Sequence, residues 1–152
     1  MNPHLNLKVV WQDDDLVELE ATATNEDFSG RTCFYTTYAE ISRVGCELQR
    51  FPRNLGEQVA FESGAPGDHS FFRARFYCFH ATGHAAVRVE LQSNVATEHR
   101  PEEENTLGIE IQFEPAACSP FADALLAMVE NSGGRASLAG IPKYTQNILK
   151  ET

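Results

Sequence analysis

Three arginines and a tyrosine occupy alternate positions in two short segments that flank Gly83. Arg73, Arg75 and Tyr77 alternate with apolar residues in the first segment, and Arg88 does so in the second. Residues two apart in a strand point to the same side, so this pattern places all four on one face, the arginine face. Guanidinium groups bind carboxylates and phosphates and stack on flat rings. The arginine face is thus a candidate site for a small anionic ligand or a minor enzymatic activity, unless nearby glutamates neutralise it as ordinary cross-strand pairs.

The segments on either side of Gly83 predict a β-hairpin over residues 70–93, because both alternate and glycine favours the positive φ of a tight turn. A turn centred on Thr82 and Gly83 sets the register. A one-residue slip would place arginine beside valine, so the register is strongly specified. The predicted pairs are Cys78 with Val87, Phe76 with Val89, Ala74 with Leu91, Tyr77 with Arg88, Arg75 with Glu90 and Arg73 with Gln92.

Two histidines, His80 and His84, flank the same turn, and Cys78 lies close by. Imidazole and thiolate groups are zinc ligands. In the predicted register, however, His80 and His84 point to opposite faces, which disfavours a metal site. The chain also lacks the phosphate-loop, dinucleotide, nucleophile-elbow and zinc-protease motifs. We expect no metal, no cofactor and no catalytic residues.

Acidic residues outnumber basic ones by 22 to 12, which gives a formal net charge of −10. Such a surface repels phosphates and anionic lipids, so nucleic-acid and membrane binding are disfavoured and a basic protein partner is favoured. The acidic loops lack the spacing of a calcium-binding loop. The candidate partner-binding residues are the two runs of three acids, Asp13, Asp14 and Asp15, and Glu102, Glu103 and Glu104.

The four cysteines show neither a Cys-x-x-Cys pair nor any zinc-type spacing. We expect all four to be reduced core thiols in a cytoplasmic protein. The first residues lack a basic and apolar leader pattern, and no apolar run approaches the roughly 20 residues of a membrane span.

Two amphipathic helices stand out from the alternating strands. Thr37 and Glu40 form a capping box that opens the first, and Ser119 followed by Pro120 is expected to open the second. The first strand has one apolar face, formed by Leu5, Leu7, Val9 and Trp11.

The element order is β-β-β-α-β-β-β-β-α, and nearly every strand has one apolar and one polar face. This pattern predicts an α+β two-layer sandwich: one antiparallel sheet of about six or seven strands with two helices on one face. The competing fold is a β-sandwich with helices at its ends. Residues 1–134 are expected to form a single domain. Residues 135–152 would be a partly ordered tail that docks on the core or on a second subunit, in a monomer or a homodimer.

One pattern runs along about two-thirds of the chain: an aromatic after a helix, a strand, a Gly-His turn with an alternating strand, a strand rich in Ile and Glu, and a terminal helix. Its parts are Phe51, 59–61, Gly83 and His84, 87–89, 109–111 and 121–129. The pattern resembles small uncharacterised bacterial cytosolic proteins, some found in settings suggestive of toxin-immunity partners. The resemblance implies a binding module and supplies no active-site residues.

The leading hypothesis is a non-enzymatic acidic binding protein, of which an immunity-type inhibitor of a basic protein is one form. The alternative is an anionic-ligand-binding protein or minor enzyme that uses Arg73, Arg75 and Arg88.

Overall fold

The computed structural model describes residues 2–68, 70–94 and 100–142 of the chain. Apart from one short 3₁₀ helix, Pro101–Glu103, its elements are strands and α-helices. In chain order they are β1 His4–Gln12, β2 Val17–Thr24, β3 Ser29–Thr36, α1 Tyr38–Gln49, β4 Gln58–Ser63, β5 Phe71–Cys78, β6 Ala85–Gln92, β7 Thr106–Phe113, α2 Pro115–Asn131 and β8 Arg135–Ala139.

The strands form two antiparallel sheets of four strands each. Sheet A has the order β3-β2-β1-β8 and sheet B the order β4-β5-β6-β7. The predicted α+β class with two helices is confirmed, whereas the single six- or seven-stranded sheet is wrong. Alternation gives each strand an apolar face, but it does not say whether two groups of strands continue one sheet or form two.

The chain beyond residue 134 begins with β8, which pairs antiparallel with β1 from Lys8–Arg135 to His4–Ala139. This strand was not predicted. Tyr144, Ile148 and the other residues of the predicted tail from 143 onward lie outside the described residues.

One buried apolar cluster takes side chains from both sheets and both helices. Phe34 of sheet A stacks on Phe72 of sheet B, with ring centroids 4.3 Å apart, and meets Phe61 edge-on at 5.6 Å. The ring centroid of Phe76 in sheet B lies 6.0 Å from that of Phe121 in α2. Sheet B therefore packs partly against β3 and partly against α2. Burial of the core residues predicted from alternation is confirmed for Phe76, Val89, Ile109 and Ile111.

The predicted hairpin exists as β5 and β6, but its register differs by two residues from the prediction. The turn comprises residues 80–83, and it is closed by bonds from Gly83 N to His80 O and from Phe79 N to His84 O, both 2.9 Å. Gly83 has φ +93°, as the turn requires. Because side chains alternate with a period of two, every residue keeps its predicted face and changes only its partner. The observed pairs include Phe76 with Val87, Tyr77 with Ala86, Arg75 with Arg88 and Arg73 with Glu90.

Side chains from β4 and from the segment that follows β6 close the free edge of β3. Asn94 Oδ1 accepts a hydrogen bond from Cys33 N, and Asn94 Nδ2 donates to Cys33 O, both at 2.7 Å. Ser63 Oγ donates to Tyr35 O at 2.6 Å. These bonds satisfy edge groups that would otherwise be open to pairing.

After β8 the chain crosses to the other edge of sheet B, where Ile141 N donates to Gln112 O at 2.7 Å. A Cβ at Gly140 would lie 2.6 Å from Ile111 Cγ2 and 2.8 Å from Pro3 Cβ, so this crossing needs a glycine. Both inner faces are thus enclosed, and the polar outer faces of the two sheets carry the candidate sites.

Helix α1 begins as predicted, since Thr37 Oγ1 accepts from Glu40 N at 3.1 Å. Helix α2 begins at Pro115 rather than after Ser119, and Pro120 lies inside it. Either proline suits the first turn of a helix, so the sequence pattern did not distinguish the two starts.

All four cysteines are free. Cys78 and Cys118 are buried, but Cys33 is half-buried and Cys46 is exposed, so the expectation of four core thiols is wrong for these two. No helix in the described part of the chain is long and apolar enough to cross a membrane.

Candidate functional site

The first acidic run lies in the turn between β1 and β2. Asp13 Oδ1 accepts hydrogen bonds from Asp15 N at 2.8 Å and Leu16 N at 2.7 Å, while Asp13 N donates to Leu16 O at 2.9 Å. The two bonds from backbone N–H groups hold the pKa of the Asp13 carboxyl below its ordinary value. Asp13 thus shapes the turn, and Asp14 and Asp15 remain exposed.

Beside this turn, a β-bulge brings an aromatic side chain to the outer face of sheet A. Val9 pairs with Leu19 and Trp11 pairs with Glu18, so Val10 is an extra residue in β1. The bulge reverses the alternation, and Trp11 lies outside rather than on the predicted apolar face. Its side chain is 46% exposed. The expectation that Trp11 joins the core is therefore wrong.

Trp11 does not stand alone on this face. Its ring meets Tyr35 of β3 edge-on, with centroids 6.3 Å apart. Leu16, in the turn that precedes β2, is also exposed. We call this end of sheet A the Trp11 surface: the exposed apolar side chains of Val10, Trp11, Leu16 and Tyr35 together with the carboxylates of Asp14, Asp15 and Glu18.

The Trp11 surface is anchored to both helices through Gln12. Gln12 Nε2 donates to Ser132 O, just beyond α2, at 2.7 Å. Its Oε1 accepts from the hydroxyl of Tyr38 at the start of α1. These bonds attach the end of β1 to the end of α2 and the start of α1, so the backbone beside Trp11 is held in place.

The turn between β2 and β3 repeats the same local design. Asn25 Oδ1 accepts from Asp27 N at 3.2 Å and Phe28 N at 3.0 Å, and Asn25 N donates to Phe28 O at 3.1 Å. Phe28 is 65% exposed. This turn lies at the opposite end of β2 from the Trp11 surface, about 25 Å away for eight residues of strand.

The second acidic run lies in the loop between β6 and β7, where Arg100 Nη1 is 3.2 Å from Glu103 Oε1. A Cβ at Gly30, near the start of β3, would lie 3.0 Å from Leu107 Cδ2, near the start of β7. This loop is therefore on the side of the β2–β3 turn. The structure does not bring Glu102, Glu103 and Glu104 together with Asp13, Asp14 and Asp15.

The arginine face exists on the outside of sheet B, but its members are not equivalent. Arg73 lies between Glu62 and Glu90, with nitrogen–oxygen distances of 3.4 Å to each. Arg75 stacks over the ring of Tyr77, its guanidinium carbon 5.0 Å from the centroid. Arg73 is thus neutralised in place, as the cross-strand alternative predicts, whereas Arg75 is held by an uncharged ring.

Tyr77 reaches across β6 and donates a hydrogen bond to Glu110 of β7. Burial raises the pKa of Tyr77, and the bond and charge of Glu110 raise it further, whereas the positive charges of Arg75 and Arg88 oppose the rise. The phenol therefore acts as a neutral donor that engages the carboxylate opposite Arg88 in the register.

Arg88 extends over Gly108, where a Cβ would lie 2.8 Å from its Nη2. It borders a groove of about 350 Å³ whose apolar lining includes Pro66, Phe71, Leu91 and Leu107. Phe71 itself is buried, although it belongs to the outer side of β5.

The two histidines do not diverge as expected, because both lie in or next to the turn and outside the regular ladder. Their ring centroids are 5.4 Å apart, and His80 Nδ1 is hydrogen-bonded with Thr82 Oγ1 at 2.8 Å. Cys78 Sγ is directed to the His80 carbonyl at 3.3 Å. Within the described residues, no group of three or more His, Cys, Asp or Glu side chains could hold a metal ion.

A further groove of about 530 Å³ lies between α1 and β4. Arg43 is ion-paired there with both Glu40 and Glu47 and donates to Ala60 O at 2.9 Å. Its charge and the outward carbonyl of the edge strand are therefore satisfied without a ligand.

The exposed aromatic pair of the Trp11 surface was missed by sequence reasoning. The signal was present, because the run Val9-Val10-Trp11 breaks strict alternation and indicates a bulge. Tyr35 could also have been found, since it alternates with the inward residues Thr32, Phe34 and Thr36. Comparison with family models, with curated proteins and with solved structures gives no match to this chain.

Proposed function

We propose that this protein is a non-enzymatic interaction module that binds a basic protein partner through the Trp11 surface. The observation that carries the proposal is the exposed Trp11–Tyr35 pair, fixed beside two solvated acids. Tryptophan and tyrosine are enriched among the residues that dominate binding energy in protein interfaces. Exposed large apolar side chains bordered by charge are typical of such surfaces.

Charge supports a cationic partner. Asp14, Asp15 and Glu18 border the aromatic pair, and the whole chain carries a formal charge of −10. Farther along the same face, the Arg31 guanidinium is already paired with Glu20 at 2.9 Å. A lysine- or arginine-rich segment would meet carboxylates, and an arginine could stack on Trp11.

The proposal has an inhibitory form. If the basic partner uses the same cationic segment for its own activity, occupation of that segment blocks it, as an immunity-type protein does. A cytoplasmic location belongs to the proposal and is supported by the four free cysteines, which suit a reducing compartment.

A selection from a random peptide library displayed on phage tests the proposal without a presumed partner. The wild-type protein should enrich peptides rich in arginine and lysine with an aromatic residue. The double variant Asp14→Asn/Asp15→Asn should lose this enrichment, as should Trp11→Ala. Asp13 is left unchanged because its carboxylate builds the turn.

The structure offers a matched control in the β2–β3 turn. The double variant Glu26→Gln/Asp27→Asn removes the same charge from a turn of the same design, and it should enrich the same peptides as the wild type. Enrichment of neutral or acidic peptides, or equal loss in both double variants, would contradict the proposal.

A further inference from the structure

A second surface, on sheet B, carries two arginines that form no ion pair with any residue that the structure describes. Of the three arginines of the arginine face, Arg73 is paired with both Glu62 and Glu90. In the part of the chain that the structure describes, neither Arg75 nor Arg88 forms an ion pair. Carboxylates thus neutralise Arg73 in place, whereas Arg75 and Arg88 have no such ion pair among the described residues.

The register of β5 and β6 places these two like charges side by side, which lowers the stability of the sheet. Arg75 of β5 lies directly opposite Arg88 of β6. Directly opposed side chains in an antiparallel pair have Cβ atoms about 4.5–5.5 Å apart, and like charges there are destabilising. Both side chains are half-buried, which reduces the screening that water gives fully exposed charges.

A carboxylate is near but engaged elsewhere. Glu110 is the cross-strand partner of Arg88 on β7, yet its Oε2 accepts the hydroxyl of Tyr77. Tyr77 also supplies the ring on which Arg75 stacks at 5.0 Å. Tyr77 therefore contacts both Arg75 and Glu110, and in the described structure Glu110 forms no ion pair with Arg88.

The space around Arg88 is open. Gly108 leaves room for its guanidinium, which a side chain there would meet at 2.8 Å. The neighbouring groove, about 350 Å³, is lined by Pro66 and Phe71 on its apolar side and also by Glu90. A ligand could place a charged group at Arg88 and an apolar body in the groove.

We propose that Arg75 and Arg88 form a binding site for an oxyanion, a carboxylate or a phosphate, that bridges their two guanidinium groups. Guanidinium groups present paired N–H donors that match the oxygens of both anions. Binding converts the repulsion between the two cations into attraction to a shared anion. The site lies on sheet B, so a test of this proposal does not depend on the Trp11 surface, which lies on sheet A.

The test is a titration followed through the arginine Nε–Hε resonances by NMR. Sodium phosphate forms one arm and sodium benzoate the other, each at constant ionic strength balanced with chloride. The signals of Arg75 and Arg88 should shift in a saturable manner with at least one of the two anions. Tighter binding of benzoate would mean that the groove holds an apolar body, whereas tighter binding of phosphate would identify a phosphate site.

Single substitutions complete the test. Arg75→Gln and Arg88→Gln should each weaken binding about tenfold or more, as expected for loss of a charge-assisted hydrogen-bonded pair. Arg31→Gln is the matched control, since Arg31 lies on the outer face of sheet A and is already paired with Glu20; it should leave binding unchanged. The better-binding anion should also raise the melting temperature of the wild type, and raise it less in Arg88→Gln.

Three outcomes would overturn the proposal: no saturable shift with either anion, an equal shift at Arg31, or binding that survives both glutamine substitutions.

Discussion

The two turns of sheet A share one hydrogen-bond pattern, although Glu26 of the second turn has φ +83°, and they support different surfaces. In each, the side-chain oxygen of the first residue, Asp13 or Asn25, accepts two backbone N–H groups. In each, two acids follow and an exposed apolar residue, Leu16 or Phe28, closes the turn. They differ in their neighbours, because among the described residues only the first turn lies beside a pair of exposed aromatic rings.

Acidic residues alone therefore do not mark the candidate surface. The same arrangement of two acids in a turn occurs twice, and in the described part of the chain the second turn has no aromatic pair beside it. The distinguishing feature is the bulge at Val10, which brings Trp11 to the outer face opposite Glu18 and next to Tyr35.

The largest expected effect comes from the core that both turns share. Phe34→Ala should lower the free energy of unfolding by about 3–5 kcal/mol, because it removes a fully buried ring that stacks on Phe72. Urea denaturation measures this loss. Tyr35→Ala, on the opposite face of the same strand, is the control and should cost about 1 kcal/mol or less. A loss below about 1 kcal/mol for Phe34→Ala would mean that β3 does not join the two sheets as described.

The second-largest expected effect is on the affinity for a basic peptide, which should depend on the first turn and not on the second. Trp11→Ala should weaken binding of a selected basic peptide by about 2 kcal/mol, roughly 30-fold, as the loss of a central interface anchor does. Phe28→Ala should leave the affinity unchanged, although Phe28 is the more exposed side chain. Titration calorimetry gives both affinities. Equal losses in the two variants would show that any exposed aromatic near acids suffices.

The smallest effect concerns acid pH. The pKa of Asp13 is lowered in the folded protein, so its contribution is present above the ordinary carboxyl pKa and is lost as pH falls through the lowered value. Asn25 carries no titrating group. The hydrogen bond from Leu16 N to Asp13 should therefore weaken at acid pH, while the bond from Phe28 N to Asn25 should persist. The temperature coefficients of the two amide resonances in two-dimensional NMR measure both bonds. Asp13→Asn should abolish the change at Leu16, and a parallel change in both turns would contradict this assignment.

Strand faces were predictable from sequence because side-chain alternation is strict where one side is buried. Phe76 and Val89 were placed correctly although their pairing was off by two residues, since a shift of two preserves the face. The start of α1 was predictable because Thr37 and Glu40 form a local cap. These features depend on residues close together in the chain.

Features set by distant contacts were not predictable in the same way. Phe34 and Phe72 are 38 positions apart, and nothing in either strand indicates that their rings stack across two sheets. Arg75 and Arg88 form no ion pair within the described residues, and Arg75 lies opposite Arg88 rather than Glu90 because of a register that a four-residue turn decides. The bulge at Val10 was predictable in part. The sequence indicates the bulge, but it does not give the direction in which Trp11 then points.

The central claim is that Trp11 is the anchor of an interface with a basic partner. Trp11 is the only tryptophan in the chain, so intrinsic fluorescence reports on it directly. When a selected basic peptide binds, Trp11 emission should shift to shorter wavelength and acrylamide quenching should fall, because the exposed indole becomes covered. Addition of salt should reverse both changes as the charges are screened. Binding of the peptide with unchanged Trp11 emission and unchanged quenching would place the interface elsewhere and contradict the account.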